Sequence, residues 1–234
     1  MKIVKFYFKY LLTTSNLIIF LIFTVVLGFS YYISINDLNI SLSYNQILQY
    51  YFENSVYFTK ILIVFLSSFI FMKLKGERNE YIINTIITAG YTKKQNYKGM
   101  IYTNIIVVFA LIILEFVLYI IVGILSKKYF FITNDNIIAF FNIFLLSILY
   151  GMVTYLLIQL TNNQFVFIIV IVIFLLTELV NSNDNNVKYI FLYFFPNINS
   201  FNGRMYISNI FVIILLVILY VLNEYIYINK DLKN

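Results

Sequence analysis

Between Asn136 and Thr177 the chain runs 42 residues without a charged side chain. A single helix of that length would be about 63 Å long at 1.5 Å per residue, roughly twice the hydrocarbon thickness of a bilayer. The stretch therefore reads as two spans folded back on each other. The polar cluster Thr161–Asn162–Asn163–Gln164 supplies the turn, which places the spans at Ile137–Leu160 and Phe165–Val180. Tyr10–Asn36 is uncharged as well and holds one span, Leu17–Ile35. With 11% charged and 62% hydrophobic residues, the chain carries less than half the charge, about 25%, of an ordinary soluble domain. A transmembrane barrel would show alternating segments of ~10 residues, and the unbroken Ile/Leu/Val/Phe runs do not. One Pro and seven Gly predict long, uninterrupted helices.

The expected fold class is an all-α, polytopic integral membrane protein forming one transmembrane domain over residues 1–234. Three further spans complete a set of six: Ser55–Leu74, Ile101–Leu125 and Ile207–Tyr227. Lys2, Lys5 and Lys9 make one basic stripe on a helix otherwise built from Ile3, Val4, Phe6, Tyr7 and Phe8. Residues 1–16 are thus expected as an interfacial amphipathic helix. A secretory leader is the alternative, but no Ala precedes Ala89, so an A-x-A cleavage site is missing. Between the fifth and sixth spans, the apolar Tyr189–Phe195 is too short to cross and is read as a re-entrant helix halted by Pro196. With both termini in the cytoplasm, eleven of the 16 basic residues fall inside and Lys60, Lys127, Lys128, Lys188 and Arg204 fall outside. The positive-inside rule favours that orientation and accounts for the net charge of +6 without nucleic acid.

The absence of Cys and His removes the usual zinc ligands and any His-dependent triad. No G-x-x-x-x-G-K-S/T occurs, so the chain has no loop to cradle ATP phosphates. Two carboxylates fall inside spans. Glu115 sits mid-span and Glu178 near the outer end of the fifth. Each reads either as a polar spot for a cationic substrate group or a subunit interface, or as a carboxyl satisfied by Tyr, Thr or Asn of a neighbouring helix. Lys60 is expected to snorkel to headgroups. Most of the 22 Tyr and 25 Phe are expected to face lipid or form belts, with Tyr31–Tyr32, Tyr50–Tyr51 and Tyr189–Phe195 in the outer belt.

The one sizeable cytoplasmic loop is Lys75–Lys98. Ile82, Ile83, Ile86 and Ile87 repeat at i, i+1, i+4, i+5, one apolar face of a short helix. Gly90 stands where a helix would stop, and Thr92-Lys93-Lys94-Gln95 is a capping box that starts a second helix running into the third span. The segment predicts a helix–elbow–helix with a small, basic tip at Ala89–Lys94. Lysines in a first helical turn oppose the helix dipole at a few tenths of a kcal/mol. Either they serve topology alone, or the elbow docks a cytoplasmic partner. The isoleucines outside the bilayer also need cover, from a partner or from the inner leaflet.

This loop resembles the one that follows the second span in permeases of ABC-2-type exporters. Glu77-Arg78 opens the pattern without a gap. Ile83, Ile86, Ile87 and Thr88 follow, Gly90 stands at a Pro/Gly position, Thr92-Lys93 at a hydroxyl-basic pair, and Gly99 at the closing Gly. Ile82 replaces a small hydroxyl residue, Asn96 replaces an apolar one, and Lys98-Gly99 reverses the usual order. The basic N-terminal helix, the six spans and the Phe194-Phe195-Pro196 turn are similar too. The resemblance implies a coupling helix that contacts a separate ATPase through Glu80, Ile83, Ile86, Ile87, Thr88, Gly90, Tyr91, Thr92, Lys93 and Lys94. It implies ATP and Mg bound by that partner rather than by this chain, no catalysis here, and a second permease chain completing the path. It further implies a bacterial cell membrane and an amphipathic peptide or other hydrophobic substrate. An ion-gradient-driven transporter would show inverted repeats and Gly/Pro-broken helices. A Glu-based intramembrane protease would want paired carboxylates and Arg within the spans. A non-transporting immunity or scaffold subunit is the remaining class.

Overall fold

The computed structural model describes residues 2–36, 44–75, 90–126, 134–183 and 204–229. Among them are seven helices and no strand: α1 (Lys2–Leu11), α2 (Thr14–Asn36), α3 (Tyr44–Lys75), α4 (Lys93–Leu125), α5 (Asn134–Thr161), α6 (Val166–Asn183) and α7 (Arg204–Asn229). Five are long and apolar enough to cross a bilayer: α2, α3, α4, α5 and α7. Val166–Leu176 of α6 is a shorter apolar helix. The chain is a polytopic helical membrane protein on that evidence. The re-entrant segment expected between Asn181 and Tyr206 lies largely outside the described residues.

Two helices form the centre. In the membrane-length windows of α3 and α5, 61% and 72% of residues are buried, against 17–22% for α2, α4 and α7. The outer three therefore turn most of their apolar side chains, such as Leu21, Val25, Ile106, Val217 and Val221, to the surroundings. Hydrocarbon leaves buried polar groups no water to bond, and the bundle satisfies many of them internally. The hydroxyls of Thr59, Thr103, Ser147 and Thr154 donate to the carbonyl four residues back. Asn142 Nδ2 donates to Asn209 Oδ1 at 2.7 Å and Asn223 Nδ2 to the Met152 carbonyl at 3.2 Å, so α5 and α7 are tied at both ends.

Several elements depart from expectation. The third helix begins at Tyr44, well before Ser55, because Tyr51 and Phe52 bury themselves against Tyr119 of α4. Tyr31 and Tyr51 are not belt residues. Both are fully buried, and only Tyr32 of the Tyr31–Tyr32 pair faces outward. Lys60 does not snorkel: it is 2% exposed, with its ammonium 5.9 Å from the centre of the Phe174 ring of α6, an arrangement in which the ring's π face meets the cation. The expected hairpin is present. Its turn uses Asn162 at φ 55°, Thr161 Oγ1 accepting from Asn163 N–H, and Asn163 Oδ1 accepting from Phe165 N–H.

Candidate functional site

Of the residues expected to form the partner-docking elbow, Glu80, Ile83, Ile86, Ile87 and Thr88 lie outside the described residues, and Gly90 through Lys94 lie within them. Gly90 has φ 86° and is exposed. That left-handed backbone is open to glycine at little cost and strained for other residues. Thr92 then caps α4. Its Oγ1 accepts from Gln95 N–H at 3.2 Å, and its own N–H donates to Gln95 Oε1 at 3.0 Å. The reciprocal pair is the predicted capping box, which satisfies two of the free backbone donors at a helix start. From this cap α4 continues for 33 residues without a break, about 50 Å. The capped start of α4, two residues after the Gly90 turn, and the middle of the bundle are parts of one helix.

The first turns of α4 are tied to both ends of the chain. Lys93 Nζ donates to the Ile228 carbonyl at 3.4 Å, and Lys94 pairs with Glu224 of α7 at 3.1 Å. Below them Asn96 is fully buried. Its Oδ1 accepts from the Tyr7 hydroxyl of α1 at 2.5 Å, and its Nδ2 donates to the Tyr227 hydroxyl of α7 at 2.6 Å. One side chain thus joins three helices. Tyr97 continues the seam, donating to the Tyr220 carbonyl at 2.9 Å and packing its ring 5.8 Å from that of Tyr227. Burial, reinforced by the neighbouring Tyr227, pushes the Tyr7 phenol well above the ordinary tyrosine range, so it stays a hydrogen-bond donor. Gly99 explains how α1 comes so close: a Cβ there would overlap Ile3 Cγ2. The buried face of α1 is Ile3, Tyr7 and Leu11, so this amphipathic helix spends its apolar side on α4.

Sequence reasoning treated Asn96 as a departure from an apolar position and gave Tyr7 no role beyond the apolar side of α1. The signal that could have found them is a pair of polar-tipped residues on otherwise apolar helix faces, each needing a partner.

Glu115 lies farther along α4. It is 1% exposed and faces the interior, near Thr24 of α2 and Tyr31. Its Oε2 finds no hydrogen-bond donor among the described residues. The side chain of Glu178 lies outside what the structure describes, though its helix, α6, is present. No group of three His, Cys, Asp or Glu side chains able to hold a metal comes together among the described residues. No protein-family model matches the chain, and neither does any curated protein.

Proposed function

We propose that this chain is the membrane-spanning subunit of an ATP-driven, ABC-2-type exporter, with Gly90–Lys94 as the contact for a separate ATPase. The reading takes Val166–Leu176 of α6 as a sixth crossing beside the five membrane-length helices and both termini as cytoplasmic, which would put this turn on the ATPase side. A second permease chain completes the path, and the substrate is an amphipathic peptide or another hydrophobic compound. The observation that carries the reading is the exposed, basic, capped turn at the head of an unbroken 33-residue helix that runs into the bundle. A turn built only to connect two spans needs neither that rigidity nor ties from its lysines to the last helix.

The test is co-purification with an ATPase encoded beside this chain, followed by substrate-stimulated ATP hydrolysis and vesicle export. Replacing Gly90, Thr92 and Lys93 together is expected to lower export at least tenfold while assembly of the bundle persists. Undiminished export would end the coupling assignment. Buried Glu115 favours a competing reading, an ion-gradient-driven transporter. Uptake by proteoliposomes under a proton or sodium gradient without ATP would establish that reading in place of the first.

A further inference from the structure

Glu115 sits on the one covered strip of a helix stretch that otherwise faces outward. From Val108 onward the buried residues of α4 are Val108, Ile112, Glu115, Tyr119 and Gly123, three or four apart, while Ile113, Leu114 and Val117 beside them are exposed. The strip is packed against α2 and α3 of the same chain, which leaves no face there for a second subunit. An Ile or Leu would fill the position without electrostatic cost, whereas a carboxylate removed from water is costly unless something positive or a donor meets it. We propose that Glu115 anchors a binding site for one exchangeable monovalent cation, a proton or a sodium ion. The proposal does not rest on the exporter reading.

The hydroxyls around the carboxyl argue for a positive guest. Thr24 of α2 lies within hydrogen-bonding reach of it, and Tyr31, two turns farther along the same helix, lies close as well. Each hydroxyl has a single proton to give. Thr24 gives its own to the Phe20 carbonyl at 3.0 Å. Thr59 of α3 gives its own to the Ser55 carbonyl at 2.6 Å, so in the Tyr31–Thr59 pair the phenol is the donor. Thr24 and Tyr31 thus have lone pairs, not protons, left for Glu115, and its Oε2 meets no donor among the described residues. Oxygens gathered in this way oppose an unaccompanied carboxylate and attract a cation. A proton and a sodium ion both answer that need.

The protein supplies no cation of its own. No Lys or Arg among the described residues pairs with Glu115. Lys60, next to Thr59 on α3, carries its ammonium to the Phe174 ring of α6 instead. The other titratable groups of the surrounding cluster are phenols: Tyr31 of α2, Tyr51 of α3 and Tyr119 of α4. The Tyr51 hydroxyl is committed to the Tyr119 carbonyl at 2.7 Å, and α5 brings only the Phe140 ring to that cluster. At 1% exposure Glu115 is closed off from the ammonium group of a bulky amphipathic substrate. A bare ion is the guest that fits.

The test is infrared difference spectroscopy of the full chain in proteoliposomes, wild type minus Glu115→Gln. It is recorded as pH is stepped, and again as sodium replaces choline at fixed pH. The subtraction isolates the carbonyl stretch of the protonated Glu115 side chain. A proton guest is expected to give a band that falls away as pH rises, with or without sodium. A sodium guest is expected to give a band that sodium removes at fixed pH and choline does not. Thr24→Val keeps the side-chain shape and removes one lone-pair oxygen. It is expected to weaken the binding of whichever ion is held at least threefold, with the unfolding midpoint close to wild type. A Glu115 signal indifferent to both pH and sodium would overturn the proposal, as would a titration that Thr24→Val leaves where it was. Where Glu115→Gln fails to fold, the band that Thr24→Val displaces identifies Glu115 and decides the same question.

Discussion

At its first turns α4 is held by directed hydrogen bonds: Thr92 to Gln95, Asn96 to Tyr7 and Tyr227, and Tyr97 to Tyr220. Farther along it is held mainly by ring contacts around Tyr119, which stacks on Tyr51 at 4.9 Å and meets Tyr31 edge to face at 6.1 Å, with Phe140 at 5.7 Å. The Tyr51 hydroxyl donates to the Tyr119 carbonyl at 2.7 Å, and the Tyr31 hydroxyl bonds Thr59. The first region fixes direction and register, because a hydrogen bond fails when its partner moves by an ångström. The second fixes volume, because stacked rings tolerate sliding but not removal. A helix anchored by geometry at one end and by bulk at the other keeps its head in place while its far half retains room to rearrange.

The comparison breaks most visibly at Tyr119. Tyr119→Ala removes a fully buried ring that touches five others, and is expected to cost about 3–5 kcal/mol in equilibrium unfolding from mixed micelles. A loss below 1 kcal/mol would mean that the cluster is loosely packed. Asn96→Leu is next. It leaves the Tyr7 and Tyr227 hydroxyls without their shared partner, at an expected cost of about 1–3 kcal/mol, nearer the lower figure if cross-helix bonds here are as modest as those measured in other membrane bundles. Tyr7→Phe in the same chain is expected to recover part of that loss, and strict additivity of the two would show that the bond contributes nothing. Smallest is Lys94→Ala. Its side chain is 58% exposed, and pairs of that kind contribute about 0–1 kcal/mol. Its unfolding midpoint should stay close to wild type, whereas its effect on partner-stimulated ATP hydrolysis should exceed its effect on stability.

What the sequence made legible follows the range of the interactions. The Gly90 turn, the Thr92–Gln95 box and the Thr161–Gln164 hairpin are set by residues within a few positions of each other, and each could be read directly. The presence of several long apolar helices followed from hydropathy, whereas the start of α3 at Tyr44 did not, because it depends on ring contacts with α4. Tyr31 and Tyr51 were misassigned to a belt because an aromatic residue near a helix end has the same sequence signature whether it meets headgroups or another ring. Its burial depends on Tyr119, 68 positions beyond Tyr51. Lys60 was misplaced for the same reason, its neighbour Phe174 lying on a distant helix. Asn96 shows the converse. A polar residue at a position where the family resemblance expects an apolar one is explained only when α1 and α7 are seen to converge on it.

The unbroken course of α4 has a mechanical consequence. A stiff rod of this length, tilted about 10° around its midpoint, swings each end by about 4 Å in opposite directions. A push at the capped Lys93 end of such a rod would reach the aromatic packing around Phe116 and Tyr119 through continuous helix. The last helix, bound to the same end through Tyr227 and Glu224, would move with it.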